Sequence, residues 1–211
     1  MRRRDLLKAA AATVVLGTVN AREAWARSKP KMQQAAATAV DVEPVSETSI
    51  STTIISVEHV VVRTNKQYIA VKTALESRLG RLDDSIRALL RENKVDELRA
   101  ALEQLAGRDG LAIHYVAAHG DWLILNGGRR NGLVYYIGNV LSAVQMTRQN
   151  FAAGLYAPLR VAVYEDANGT AFEYDKPSTL FAQFHDPKID EVARSLDDRL
   201  AALLAALARQ D

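Results

Sequence analysis

The chain has 211 residues, 48% of them hydrophobic, and no cysteine. That length fits one domain of ordinary size beside a leader and a linker, and the missing cysteines exclude disulfides, thiolate nucleophiles, iron–sulfur ligation and cysteine zinc sites. The formal charge of +2 gathers at the start: residues 1–26 hold five of the 27 basic and two of the 25 acidic residues, leaving 22 basic against 23 acidic. A basic nucleic-acid footprint is therefore not expected.

Arg3-Arg4-Asp5-Leu6-Leu7-Lys8 resembles the twin-arginine export pattern R-R-x-F-L-K, with Leu6 where Phe is usual and Arg2 where Ser or Thr is usual. Ala9 to Val19 is short and mildly apolar, less than the roughly 20 residues that span a bilayer. Ala24-Trp25-Ala26 offers a small-x-small cleavage site, and Val19-Asn20-Ala21 a weaker one. The order of these signals predicts a leader over 1–26, removed on export to the periplasm, with the membrane met only in transit. Residues 27–51, rich in Ala, Gln, Thr and Ser without a period, read as a flexible tether. The folded domain is expected over 52–211.

Ile54 to Arg63 is β-branched and reads as the first strand. Asn65 is placed to cap a helix to about Leu79, with Tyr68, Val71, Leu75 and Leu79 on one face and Gly80 as its stop. Leu82, Ile86, Leu89 and Leu90 form a second helical face; Val95, Leu98, Leu102 and Leu105 form a third, ending at Gly107. Leu111 to His119 and Trp122 to Asn126 read as strands turning at Gly120-Asp121. The loop Gly127 to Gly132 leads to a strand at Leu133 to Ile137, and Asn139 is placed to cap the next helix. Leu159 to Asp166 and Thr170 to Asp175 flank Asn168-Gly169, residues that favour a type I′ hairpin turn. Asp186-Pro187 opens a last helix with Ile189, Val192, Leu196, Leu200, Leu203 and Leu207 on one face. Hairpins with helices between them predict an α+β fold: two layers, a largely antiparallel sheet, helices on one face.

Three stretches resemble one family. They are His119-Gly120 after an apolar strand; Tyr135-Tyr136-Ile137-Gly138-Asn139; and Leu155-Tyr156-Ala157-Pro158-Leu159-Arg160 running on to Tyr164-Glu165-Asp166 and Tyr174-Asp175-Lys176-Pro177-Ser178. Together they are similar to the bacterial domain-of-unknown-function family 302, over roughly Ser56 to Leu207. One departure is Val140, where the family tends to have Pro. The resemblance implies a compact α+β domain and supplies no reaction.

Candidate chemistry is sparse. His59, His114, His119 and His185 show no metal-ligand spacing, so no metal or other cofactor is expected. Gly127 to Gly132 carries Arg129 and Arg130 but is neither a dinucleotide fingerprint nor a P-loop. Ser178 lies in no nucleophile elbow. His119 is expected to face Trp122 across the predicted hairpin, as packing partner or as ligand donor. With Asn168-Gly169 at the turn, Tyr164 faces Glu173 and Ala162 faces Asp175. Leu159, Val161, Val163, Phe172 and Tyr174 then share the core face. Tyr156, Arg160, Tyr164 and Asp175 share the other, with Arg160 diagonal to Asp175. The sharpest expectation is an anion site at Arg160 flanked by Tyr156 and Tyr164, with Asp175, His119 and Asn139 as further candidates. The blander one is a wet sheet face with an ordinary ion pair.

Three functions follow. The leading one is an exported binding or accessory domain without catalysis, its partner a small anionic ligand. The second is a small enzyme on a modest anionic substrate using His119, Arg160 and Asp175. The third is a structural protein that forms homo-oligomers.

Overall fold

The computed structural model describes residues 48–209. The leader, both cleavage sites and all of the tether before residue 48 lie outside them. The unit Thr52–Asp211 holds every element that follows.

Strand β1 is His59–Thr64, so the first strand starts later than its β-branched run suggests. The chain then bends: Lys66 N–H donates to Thr64 Oγ1, and the buried Thr170 hydroxyl donates to the Lys66 carbonyl. This bend moves the start of helix α1, Tyr68–Arg78, beyond the expected Asn65 cap, and Gln67 holds the N-cap position instead. Tyr68, Val71 and Leu75 are its buried face, as their spacing predicts.

Gly80–Arg81 is a two-residue strand, β2. Helix α2, Asp84–Arg91, is capped by the Asp83 carboxylate, which accepts from the Ser85 and Ile86 N–H groups. Helix α3, Val95–Ala106, ends at Gly107, whose φ of +52° needs no side chain. Strand β3 is Ala112–Ala117.

The next segment corrects the sequence reading. His119–Trp122 is a helical turn, α4, followed by a 3₁₀ turn at Leu123–Asn126; there is no hairpin here. Gly120 is not a turn glycine. A Cβ on it would lie 1.9 Å from the Arg130 carbonyl oxygen and under 3 Å from the Gly132 backbone. The glycine is needed because the returning chain lies against it, and β3 pairs with β4, Gly132–Gly138, instead.

Asn139 caps helix α5, Val140–Gln149, by accepting from the Ser142 N–H, and its amide donates to the Gly110 carbonyl. The helix starts at Val140 without the proline that the family tends to have there. A 3₁₀ segment, Phe151–Tyr156, leads into β5, Leu159–Asp166, and β6, Gly169–Asp175.

This hairpin forms with a register two residues away from the expected one. Asp166 pairs with Gly169, so Ala167-Asn168 is the loop, and Ala162 faces Glu173 while Tyr164 faces Ala171. The cause is local: Asp166 Oδ1 accepts from the Asn168 N–H, an Asx turn one position earlier. Gly169 serves a different contact, since a Cβ there would meet the Thr64 carbonyl oxygen at 2.3 Å. Helix α6 is Pro177–Phe181, and α7 is Pro187–Ala208. Asp186 caps α7 by accepting from Lys188 and Ile189 N–H groups, with Pro187 at the first helical position, as expected.

The six strands form one sheet in the order β1-β6-β5-β4-β3-β2, antiparallel except between β2 and β3. The α+β class, the largely antiparallel sheet and the helical layer on one face all hold. Leu159, Val161, Val163, Phe172, Tyr135 and Ile137 form the inner face, packed against Val71 and Leu75 of α1 and Ile189, Leu196, Leu200 and Leu203 of α7. Each such aliphatic or aromatic side chain contributes about 1.5–3 kcal/mol when fully buried. No helix of the described residues is long and apolar enough to cross a membrane.

Candidate functional site

The outer face of the sheet carries the polar residues. Strand pairing places Val61, Glu173, Ala162 and Val134 in one row. The adjoining row holds His59 beside Asp175, and Arg160 beside Tyr136 and Tyr115. His59 bridges two carboxylates: Nδ1 is 2.9 Å from Asp175 Oδ1 and Nε2 is 3.2 Å from Glu173 Oε2. Both ring nitrogens can face carboxylates only if both carry protons, so the site favours imidazolium. The bond to Asp175, then that to Glu173, raises the His59 pKa above its ordinary 6.5. The Tyr164 hydroxyl donates to the other Glu173 oxygen, and this bond, with His59, holds the Glu173 carboxyl below its usual range. Arg130 stacks over the Tyr164 ring at 5.0 Å.

The structure brings Arg160, Tyr164 and Asp175 to this one face, as the period-2 pattern predicts. It does not build the expected recess. With Val161 opposite Tyr174, Arg160 falls directly beside Asp175 and not diagonal to it. Asp175 turns to His59 instead, and among the described residues no carboxylate forms an ion pair with Arg160. Tyr156 packs edge-on against Phe181 and Phe184. The hollow that Tyr156, Arg160 and Asp175 share is about 20 Å³, room for about one water. His119 is exposed at the start of α4 and faces no Trp122 across a hairpin.

A second site lies between sheet and helices, and one residue defines it. In β3, Ile113 faces Ile137 and Tyr115 faces Tyr136, which leaves His114 as the extra residue of a β-bulge. Bulges re-aim a side chain out of the alternating pattern. The His114 ring is turned into a cavity of about 180 Å³ lined by Gly138, Asn139, Val140, Ala143, Val144, Met146, Thr147, Pro158 and Leu196. Its Nε2 is buried and, among the described residues, has no hydrogen-bond partner. Burial pushes the His114 pKa below 6.5, a hydrogen bond between the ring and the Gly138 backbone acts the opposite way, and the charge of Arg87 adds to the lowering. The ring is therefore neutral at pH 7, able to give or take one hydrogen bond there. Gly138 keeps this space open, since a Cβ on it would meet Pro158 at 3.2 Å and His114 Nε2 at 3.6 Å.

Asn139, singled out in the sequence as a cap, also lines this cavity. His59 and His114 were visible there only as histidines without metal spacing. The trace of the bulge is present, however: Leu111-Ala112-Ile113 is apolar without alternation and all three are buried before His114-Tyr115. Among the described residues, no group of three His, Asp or Glu side chains could hold a metal ion.

The sequence pattern of the family described as Domain of unknown function DUF302 matches residues 88–207, a span that includes the whole His114 cavity. The fold is similar to the crystal structure of an uncharacterized conserved protein DUF302 from Bacillus stearothermophilus. That similarity has a TM-score of 0.50 and 20% identity, covering 72% of this chain and 98% of the other. At that identity the likeness establishes fold alone. No curated protein matches the chain.

Proposed function

We propose that this chain, which belongs to the DUF302 family, is an exported domain that binds a small, largely apolar, neutral molecule at His114. One observation carries the reading: a buried Nε2, unpartnered among the described residues, at the wall of a mostly apolar cavity of about 180 Å³. Leaving a polar atom buried without a partner costs about 1–3 kcal/mol, and a ligand that satisfies it recovers that cost. A dry cavity of about 150 Å³ suffices for benzene, so a single ring or a short chain with one hydroxyl or carbonyl fits. An ionised ligand does not suit the apolar lining, because a charge transferred there loses its hydration. The ligand is thus neutral, where the sequence pointed to an anion. Export rests on the Arg3-Arg4 leader.

Thermal unfolding with phenol and with toluene tests the site. A ligand at 100 times its Kd raises stability by about 2.7 kcal/mol, or about 5–10 °C for a domain of this size. Phenol should stabilise more than toluene, and His114→Leu should reverse that order. Equal response of wild type and His114→Leu to phenol would remove His114 from the reading.

A second reading keeps the outer face. Arg160 is exposed and unpaired among the described residues, with Tyr136 opposite it. It supports weak capture of an organic anion, and benzoate response lost in Arg160→Ala is its test.

A further inference from the structure

The helical turn that replaces the expected hairpin leaves an anomaly. Trp122, Leu123, Ile124 and Leu125 are consecutive and all exposed, Trp122 by 68% and Leu125 by 83%. A surface strand or helix alternates apolar and polar residues; this segment does not. In its 3₁₀ turn the side chains splay in three directions, and none of its residues is buried. Gly127 closes the turn at φ +82°, and Gly128 follows. Arg129 and Arg130 come next. Arg130 donates to the Glu165 carbonyl and stacks on Tyr164, which anchors the base of the loop to β5. Arg129 is exposed and without an ion pair among the described residues. Asp121 precedes the loop in the chain, and Glu165 of β5 already accepts from the Asn131 side chain.

We infer that the Trp122–Arg130 loop is a membrane-contact tip that inserts into the surface of an anionic lipid bilayer. Contiguous exposed apolar groups mark a surface that meets something apolar. The order of residue types chooses the occupant. Trp122 at the base has the amphipathic ring that prefers the headgroup level. Leu123, Ile124 and Leu125 supply a short apolar wedge. Arg129 and Arg130 add cations beside it, complementary to anionic headgroups. A protein groove would cover one side of a turn, whereas a bilayer accepts side chains splayed all round. The sequence alone suggests membrane contact only during export; the exposed tip extends it to the folded domain. This inference does not depend on the His114 cavity.

The two tryptophans are Trp25 and Trp122, so the full chain carrying Trp25→Phe reports on the tip alone. It is mixed with vesicles of phosphatidylcholine, or of phosphatidylcholine with about one third phosphatidylglycerol. The expected result is a blue shift of Trp122 emission, and quenching by acyl-brominated lipid, with the anionic vesicles. Added salt should weaken it. Leu125→Asp, at an exposed position that leaves circular dichroism unchanged, should raise the lipid concentration needed at least about tenfold. Arg129→Ala should weaken binding to anionic vesicles and leave neutral ones unaffected. Trp122 emission unmoved by anionic lipid overturns the inference, even if the leader carries the chain to the vesicles. So does a dimer that Leu125→Asp dissociates in the absence of any lipid response, which would make a second copy the occupant.

Discussion

Replacing His114 by Leu should make the ligand-free protein more stable, although His114 is the centre of the proposed site. Among the described residues Nε2 is buried without a partner, in a lining that is otherwise mostly apolar. An unsatisfied buried polar group costs about 1–3 kcal/mol, while an apolar side chain of similar shape carries no such cost. The gain should be about 1–2 kcal/mol, which for a domain of this size is about 2–8 °C in Tm. A pH signature accompanies it. The folded His114 pKa is below the ordinary 6.5, so the unfolded chain binds the proton more readily. The contribution is therefore complete above about pH 6.5 and is lost as pH falls from there to the folded pKa. Thermal melts from pH 8 to pH 5 should show this component in wild type and not in His114→Leu. His114→Asn, which keeps a buried polar group, should not gain stability. A His114→Leu variant with unchanged or lower Tm, with the acid slope intact, would refute the claim that Nε2 is unsatisfied.

Other consequences are local. Gly120→Ala forces a Cβ against the Arg130 and Gly132 backbone; it should cost about 3 kcal/mol or more, seen as a loss of cooperative melting. The His59 pKa, followed by proton NMR, should be above 6.5 in wild type and return toward it in Asp175→Asn with Glu173→Gln, because those two bonds raise it. The stability His59 gives is present below about pH 6.5 and is lost as pH rises through its raised value. With the ring half exposed it is small, about 0–1 kcal/mol. Replacing Arg3 and Arg4 together by Lys should leave precursor in the cytoplasm, and mature-sized protein in the periplasm of that mutant would defeat the export claim.

The parts of the fold legible in the sequence are those whose cause is local. Helix α7 shows its cap, its proline and its apolar stripe within one stretch of chain, and it forms as read. The β5–β6 hairpin was visible from its turn residues, yet its register moved by two because Asp166 makes its own turn with Asn168. A shift of two leaves every side chain on its expected face, since the strand period is two. So Leu159, Val161 and Val163 are in the core and Arg160 is on the outer face, although each cross-strand partner differs. The α4 segment misled for the opposite reason. Gly120-Asp121 after an apolar run looks like a hairpin turn, but the demand for glycine comes from Arg130 and Gly132, which approach only in the folded state.

The same distinction separates the two sites. Asp175 was expected to answer Arg160, a neighbour on the next strand. It answers His59, 116 residues away, because β1 closes the edge of β6. No local pattern encodes that choice. His114 is intermediate: the break in alternation at Leu111-Ala112-Ile113 is in the sequence, but its meaning depends on β4. Only when Tyr115 pairs with Tyr136 while Ile113 holds Ile137 does His114 lose its place in the ladder and turn inward. A packed core gains nothing from such a residue: an apolar side chain would fill the same position without a stranded nitrogen. Gly138, whose absent Cβ leaves room beside that nitrogen, sharpens the point. A bulge that aims a polar atom inward, and a glycine that leaves space in front of it, are the two features on which the proposed ligand site rests.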